Sequence, residues 1–228
     1  MFDRLRTLLT RRGEAPPLAA GPHTPLDRWA RSAGLQLQDH ERTADFTLSG
    51  QLEGKPLRLE RTAPSRPYIV GAELRARVVL DTAPEVFVLV INRTLRDALE
   101  HGAYVHYTDG VRTALDANMP EELRWLAMLD EVGWDRGAVP AFWPRYAVVA
   151  SAREHAQAWL RAELMQALLD WPQAAGEGPA FMLRLQQGKL YLRMAFAPAG
   201  LPMLQHVMQL LALASAAALA GCPKPAGA

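Results

Sequence analysis

Arginine falls on or beside strand-like segments at Arg58, Arg61, Arg66, Arg75 and Arg77, and again at Arg184 and Arg193. A guanidinium stays protonated in proteins and presents a rigid fork of donors that matches carboxylate or phosphate oxygens. If the faces of these strands align, Arg58, Arg61, Arg75, Arg77, Arg184 and Arg193 form a patch for an anion or an acidic partner. Glu53, Glu60 and Glu73 are interleaved with the first group. Cross-strand pairing with them is the simpler use of the same charges.

A second group is aromatic. Trp125, Trp134, Phe142 and Trp143 surround residues 120–144. They either line a pocket or a partner-binding surface, or close a core beneath a long loop, where large aromatic side chains usually end.

Other chemistry has little support. The histidines, at positions 23, 40, 101, 106, 155 and 206, make no metal-ligand spacing. No serine lies in G-x-S-x-G, and Gly54-Lys55 is followed by proline, so no phosphate-cradling loop forms there. The single cysteine, Cys222, excludes an intrachain disulfide. It sits among Pro223, Pro225 and Gly227 and lacks the rigid basic niche a thiolate nucleophile needs. The pairs Glu121-Glu122 and Asp130-Glu131 read as solvated charge on a helix. No catalytic residue, metal or cofactor is expected.

Half the residues are hydrophobic, enough for a sizeable core, and the net charge of +1 gives no global field to attract nucleic acid. Richness in alanine, leucine and arginine is that of a GC-rich bacterial genome. Residues 1–24 read as a basic amphipathic segment, Met1 to Arg12, followed by a Pro/Gly linker. Residues 25–221 read as one α+β domain of antiparallel hairpins and a meander covered by helices, and 222–228 as a flexible tail.

Within that domain Thr24-Pro25 opens a helix through Ser32, with threonine as cap and proline in the first turn. Residues 46–80 alternate as a three-strand meander turning at Glu53-Gly54. Val86 to Ile91 is a strand buried on both faces. Asn92 caps a helix from Arg93 to Glu100, and Tyr104 to Tyr107 reads as a further strand. Pro120 opens a helix through Glu131. Tyr146 to Ala150 is a strand, and Ser151 with Glu154 forms a capping box for one helix reaching Trp171. Two strands follow, joined at Gln187-Gly188, with Leu185 facing Leu190 and Leu183 facing Leu192. The apolar helix from Leu201 to Ala220 must hide its surface against the sheet.

The succession Tyr146–Leu160, Phe181–Leu185 and Gly188-Lys189-Leu190-Tyr191-Leu192 resembles a strand–helix–hairpin–helix layout found in bacterial domains of unknown function. The Gly50-x-x-x-Gly54-Lys55-x-Leu57-x-Leu59 hairpin is also similar to theirs. The resemblance brings no activity and no site residues.

Three functional expectations follow. The first is a non-catalytic bacterial binding or scaffolding protein acting through protein–protein contacts, with a protein partner or a second copy of itself. The second is a receptor or enzyme for a small anion, phosphate or carboxylate, using the strand arginines. The third is a peripheral membrane protein held weakly by Met1–Arg12. The expected location is cytoplasmic, or peripheral to the inner membrane.

Overall fold

The computed structural model describes residues 23–40, 44–109, 121–134, 138–172, 179–196 and 200–224. The amphipathic segment Met1–Arg12, the linker up to residue 22 and the helix-opening Pro120 lie outside the described residues.

Helix α1 (Pro25–Ser32) is capped as its sequence predicts: Thr24 Oγ1 accepts from the Asp27 amide at 3.1 Å. Asp27 is itself buried, and its carboxylate accepts from the His23 amide and from Arg31. Strand β1 (Gln36–Asp39) follows, too short for its alternation to stand out.

Strands β2 (Phe46–Leu52), β3 (Lys55–Thr62) and β4 (Glu73–Val79) make the expected meander. Glu53 and Gly54 both take positive φ, 51° and 78°, the backbone of a two-residue hairpin turn. Strand β5 (Phe87–Asn92) is buried along its whole length.

Helix α2 (Arg93–Asp109) runs straight through the expected strand at 104–107. Tyrosine and valine favour strand locally, but once a helix is nucleated each added residue gains a hydrogen bond at little further cost. Asn92 does not cap it. The Asn92 side chain donates to the Pro179 carbonyl and accepts from the Phe181 amide, both at 3.0 Å, and so pins the start of a neighbouring strand.

Helix α3 (Glu121–Met128) stops short of Glu131. Glu131 instead bridges Val149, and the Val132 amide donates to Val148 at 2.8 Å, which covers part of the outer edge of β6 (Tyr146–Ala150).

The single helix expected from Ser151 to Trp171 is two: α4 (Arg153–Trp159) and α5 (Ala162–Leu169). The capping box does not form, because Ala152 occupies the cap position. Ser151 Oγ instead accepts from the Phe87 amide at 3.2 Å, tying β6 to β5. Leu160 and Arg161 interrupt the helix with ψ of 74° and 165°. No glycine or proline marks the break, and Ala156, Trp159, Leu160, Leu164 and Leu168 keep helical spacing across it while all are buried. On either side of the break, α4 and α5 each pack against the last helix.

Strands β7 (Phe181–Gln186) and β8 (Lys189–Ala195) pair in the predicted register, Leu185 with Leu190 and Leu183 with Leu192, around Gln187 (φ 49°) and Gly188 (φ 69°). Helix α6 (Leu201–Gly221) closes the fold.

The architecture is α+β. Among the described residues eight strands form one sheet in the order β1-β2-β3-β4-β8-β7-β5-β6, every neighbouring pair antiparallel. Its first face presents Leu48, Leu59, Leu74, Val78, Val90, Leu183 and Leu192 to α1, α4, α5 and α6, forming the main core. Helix α6 is long and apolar enough to cross a membrane by length and composition, but Leu204, Val207, Leu210, Leu211 and Ala214 are fully buried here. Its last residue lies close to α4. A Cβ added at Gly221 would stand 2.7 Å from the Ala158 carbonyl carbon. Gly221→Ala is therefore expected to lower stability by about 1–3 kcal/mol, the usual cost of overpacking, read as an earlier urea midpoint.

Among the described residues, the second face is only half covered. Phe87, Leu89, Ile91, Ala147, Val149 and Met182, on β5, β6 and β7, pack with Leu95 and Leu99 of α2 and Trp125 and Leu126 of α3. Beside them the same face of β3, β4 and β8 is charged.

Candidate anion-binding site

Strand alternation decides which arginines gather. Leu57 and Leu59 of β3 point into the main core, so Arg58 and Glu60 point to the half-covered face. By the same count Glu73, Arg75 and Arg77 of β4, Arg184 of β7, and Tyr191 and Arg193 of β8 point there. The pairing register lines them into two rows across the strands. One runs Arg58, Arg77, Tyr191, Arg184, Leu89; the other Glu60, Arg75, Arg193, Met182, Ile91.

Five of the six expected arginines, Arg58, Arg75, Arg77, Arg184 and Arg193, thus line one cavity of about 430 Å³. Arg61 does not. It shares the parity of Leu57 and Leu59, and its guanidinium is turned to the Ala44 carbonyl and to Asp45 at 3.4 Å.

The aromatic group also divides. Trp125 lines the cavity. Phe142 and Trp143 are buried in the main core, with Trp134 packed against them at 4.8 Å from Trp143, ring centre to ring centre. Phe142 and Trp143 belong to the closed core, and Trp134 packs half-buried at its margin.

Helix α3 forms one wall and contributes Glu121, Glu122 and Trp125. Glu122, expected to be solvated, is buried, with its side chain 1% exposed. It accepts from Arg66 Nε at 3.0 Å, from Tyr68 Oη at 2.9 Å and from Arg193 Nη1. Burial alone would raise the Glu122 pKa. Its own backbone amide and the cations Arg193 and Arg66 outweigh this and hold the carboxyl below its usual range. Burial and the Glu122 charge push the Tyr68 hydroxyl upward, so it remains a donor.

Glu73, fully buried, stands 2.9 Å from Arg193 Nε and accepts from the Ser65 amide at 2.5 Å. Two buried carboxylates therefore fix Arg193. Desolvation works against its charge, but Glu122 and its neighbours raise its pKa.

Arg184 is held differently. Its guanidinium carbon lies 4.0 Å from the Trp125 ring centre and 4.5 Å from that of Tyr191, with Glu121 at 3.8 Å. Stacking between two aromatic faces compensates a desolvation that lowers its pKa. Its Nε is buried without an acceptor among the described residues.

Arg58 and Arg75 share Glu60, at 2.5 and 3.2 Å. Arg75 Nε is also buried without an acceptor among the described residues. Arg77 is exposed and has no carboxylate partner among the described residues. Five arginines and three glutamates line the cavity, an excess of two positive charges.

The remaining chemistry-bearing residues are apart from this site. Cys222 is a free, buried thiol whose pKa burial raises. His155 contacts Ser151 Oγ at 3.2 Å on an exposed surface. No group of three metal-ligating side chains occurs among the described residues.

No family model matches the chain, and no curated protein matches it significantly. Among solved structures, the crystal structure of the mycobacterial trehalose monomycolate transport factor A, TtfA, is similar to this chain at 11% sequence identity and a TM-score of 0.41, covering 82% of this chain and 92% of that one.

Proposed function

We propose that the chain is a receptor for a small anion, bound on the charged half of the second sheet face. One observation carries the reading. Arg58 stands directly opposite Arg77, and Arg75 directly opposite Arg193, in adjacent rows. Like charges placed opposite one another on a sheet are destabilising. Here they line a solvent-open cavity, and the carboxylates present do not balance them. An arrangement that works against the fold and favours an incoming anion is the signature of a binding site.

A receptor fits better than an enzyme. Glu122, the carboxylate buried in the cavity wall, is held below its usual range by Arg193 and Arg66, and a carboxylate so engaged is a poor proton acceptor. It also fits better than a scaffold acting through protein contacts, because the charged groups converge on a concavity.

The test pairs binding with stability. Inorganic phosphate, sulfate and succinate are titrated against the protein in thermal unfolding. A ligand at one hundred times its Kd adds about 2.7 kcal/mol, and a chain of this size then melts roughly 5–10 °C higher. Arg77→Glu is expected to abolish the shift. Its unliganded stability should be unchanged or higher by about 0.2–1 kcal/mol, since a repulsive pair becomes an attractive one. No shift with any of the three anions sinks the reading.

A further inference from the structure

Resting on that reading, we infer that the ligand is a doubly charged anion of the phosphomonoester class, held by Arg58, Arg75 and Arg77. The argument is a local charge balance. Arg66 and Arg193 contact Glu122, and Arg193 also contacts Glu73, so this set holds two cations and two anions. Arg184 faces Glu121. Both sets lie toward α3 and are neutral within themselves. The whole excess therefore rests at the β3–β4 corner, where three arginines stand with one glutamate, Glu60, which contacts Arg58 and Arg75 but not Arg77.

That corner has the geometry to use it. Arg75 and Arg77 are two residues apart on β4 and lie on one face, and Arg58 is directly across from Arg77. Glu60 takes one edge of Arg58 and Nη2 of Arg75. Left over are Arg75 Nε, which is buried, and the Arg77 guanidinium, which meets no acceptor among the described residues. A singly charged ligand would leave one of the two surplus cations uncompensated. A phosphomonoester carries close to two charges and three acceptor oxygens above its second pKa of about 6. Three guanidinium groups can each take an oxygen, with the short, charge-assisted bonds that arginine forms to phosphate.

Arg184 and Arg193 then have another task. Stacked or fully ion-paired, they fix the floor and wall of the cavity and do not hold the ligand's charge.

Calorimetric titration of the full-length chain with methyl phosphate and methyl sulfate separates the possibilities. The two esters have nearly the same shape, but only the phosphate is doubly charged above a pH of about 6. Methyl phosphate is expected to bind at least about tenfold more tightly, a gap of roughly 1.4 kcal/mol. Arg77→Gln and Arg58→Gln should each erase most of that gap. Arg28→Gln, on the exposed side of α1, should leave it intact. Equal binding of the two esters overturns the doubly charged assignment and leaves the anion receptor standing. A gap that survives both pocket variants overturns the assignment to the β3–β4 corner. Failure of both esters to bind at millimolar concentration overturns the inference and the receptor reading together.

Discussion

Replacing Glu122 by alanine is expected to destabilise the protein by about 3 kcal/mol, the low end of the cost of breaking a buried ion pair from one side. The reason is what remains behind. Arg193 and Arg66, about three-quarters buried, lose the carboxylate they share, and the Tyr68 hydroxyl loses its acceptor. Arg193 retains Glu73, which is why the low end applies. At this chain length the melting temperature should fall by roughly 6–12 °C. Glu121→Ala, one residue away on the exposed side and 3.8 Å from its partner, should cost no more than about 0.5 kcal/mol.

The effect has a pH signature. Glu122 titrates lower in the folded protein than its ordinary value of 4.5. Unfolding therefore takes up protons in acid, and the group's contribution is complete above about pH 4.5 and lost as the pH falls through the folded-state pKa. Denaturation curves of wild type and Glu122→Ala should differ by a constant amount near neutrality and converge below pH 4.5. A difference that stays constant into acid would show that the carboxylate is not held as described.

The second large effect is at Trp159. The indole is fully buried at the end of α4, and its Nε1 donates to the Ala214 carbonyl of α6 at 2.9 Å. Trp159→Ala removes the aromatic volume and leaves a cavity where α4, α5 and α6 meet. The expected loss is about 4 kcal/mol. Trp159→Phe keeps most of the volume and loses the N–H donor, so about 1–2 kcal/mol is expected. Urea unfolding with an unchanged slope would confirm a loss of stability; a changed slope would mean a different folded or unfolded state.

What could be read in advance was local. The Thr24 cap, the Glu53-Gly54 and Gln187-Gly188 turns and the meander depend on residues a few positions apart, and all appear in the structure. The site depends on pairing β4 with β8, segments more than a hundred residues apart in the chain. No local pattern specifies that neighbour, so the two arginine groups could be suspected of meeting but not shown to meet. Arg61 carried a legible warning: its parity with Leu57 and Leu59 places it on the core face. Glu122 carried none. An acidic pair at the start of a helix reads as solvated, and only the docking of α3 over Arg193 buries one member of it. The break between α4 and α5 was equally hidden, since the apolar spacing continues through it and no glycine or proline marks it.

The position of β8 also governs the order in which this chain can assemble. During synthesis the meander β1–β4 emerges first, with the long edge of β4, Glu73 to Val79, lacking its partner until residue 195 has been made. Sheets closed by such distant pairing fold slowly, because a long loop must be closed before the contacts form. Over that interval the arginines of β4 guard an unsatisfied edge, as charged side chains do on edge strands generally. The β4 arginines proposed to hold an anion in the finished protein are thus the same side chains that flank the unpaired edge of the half-made sheet.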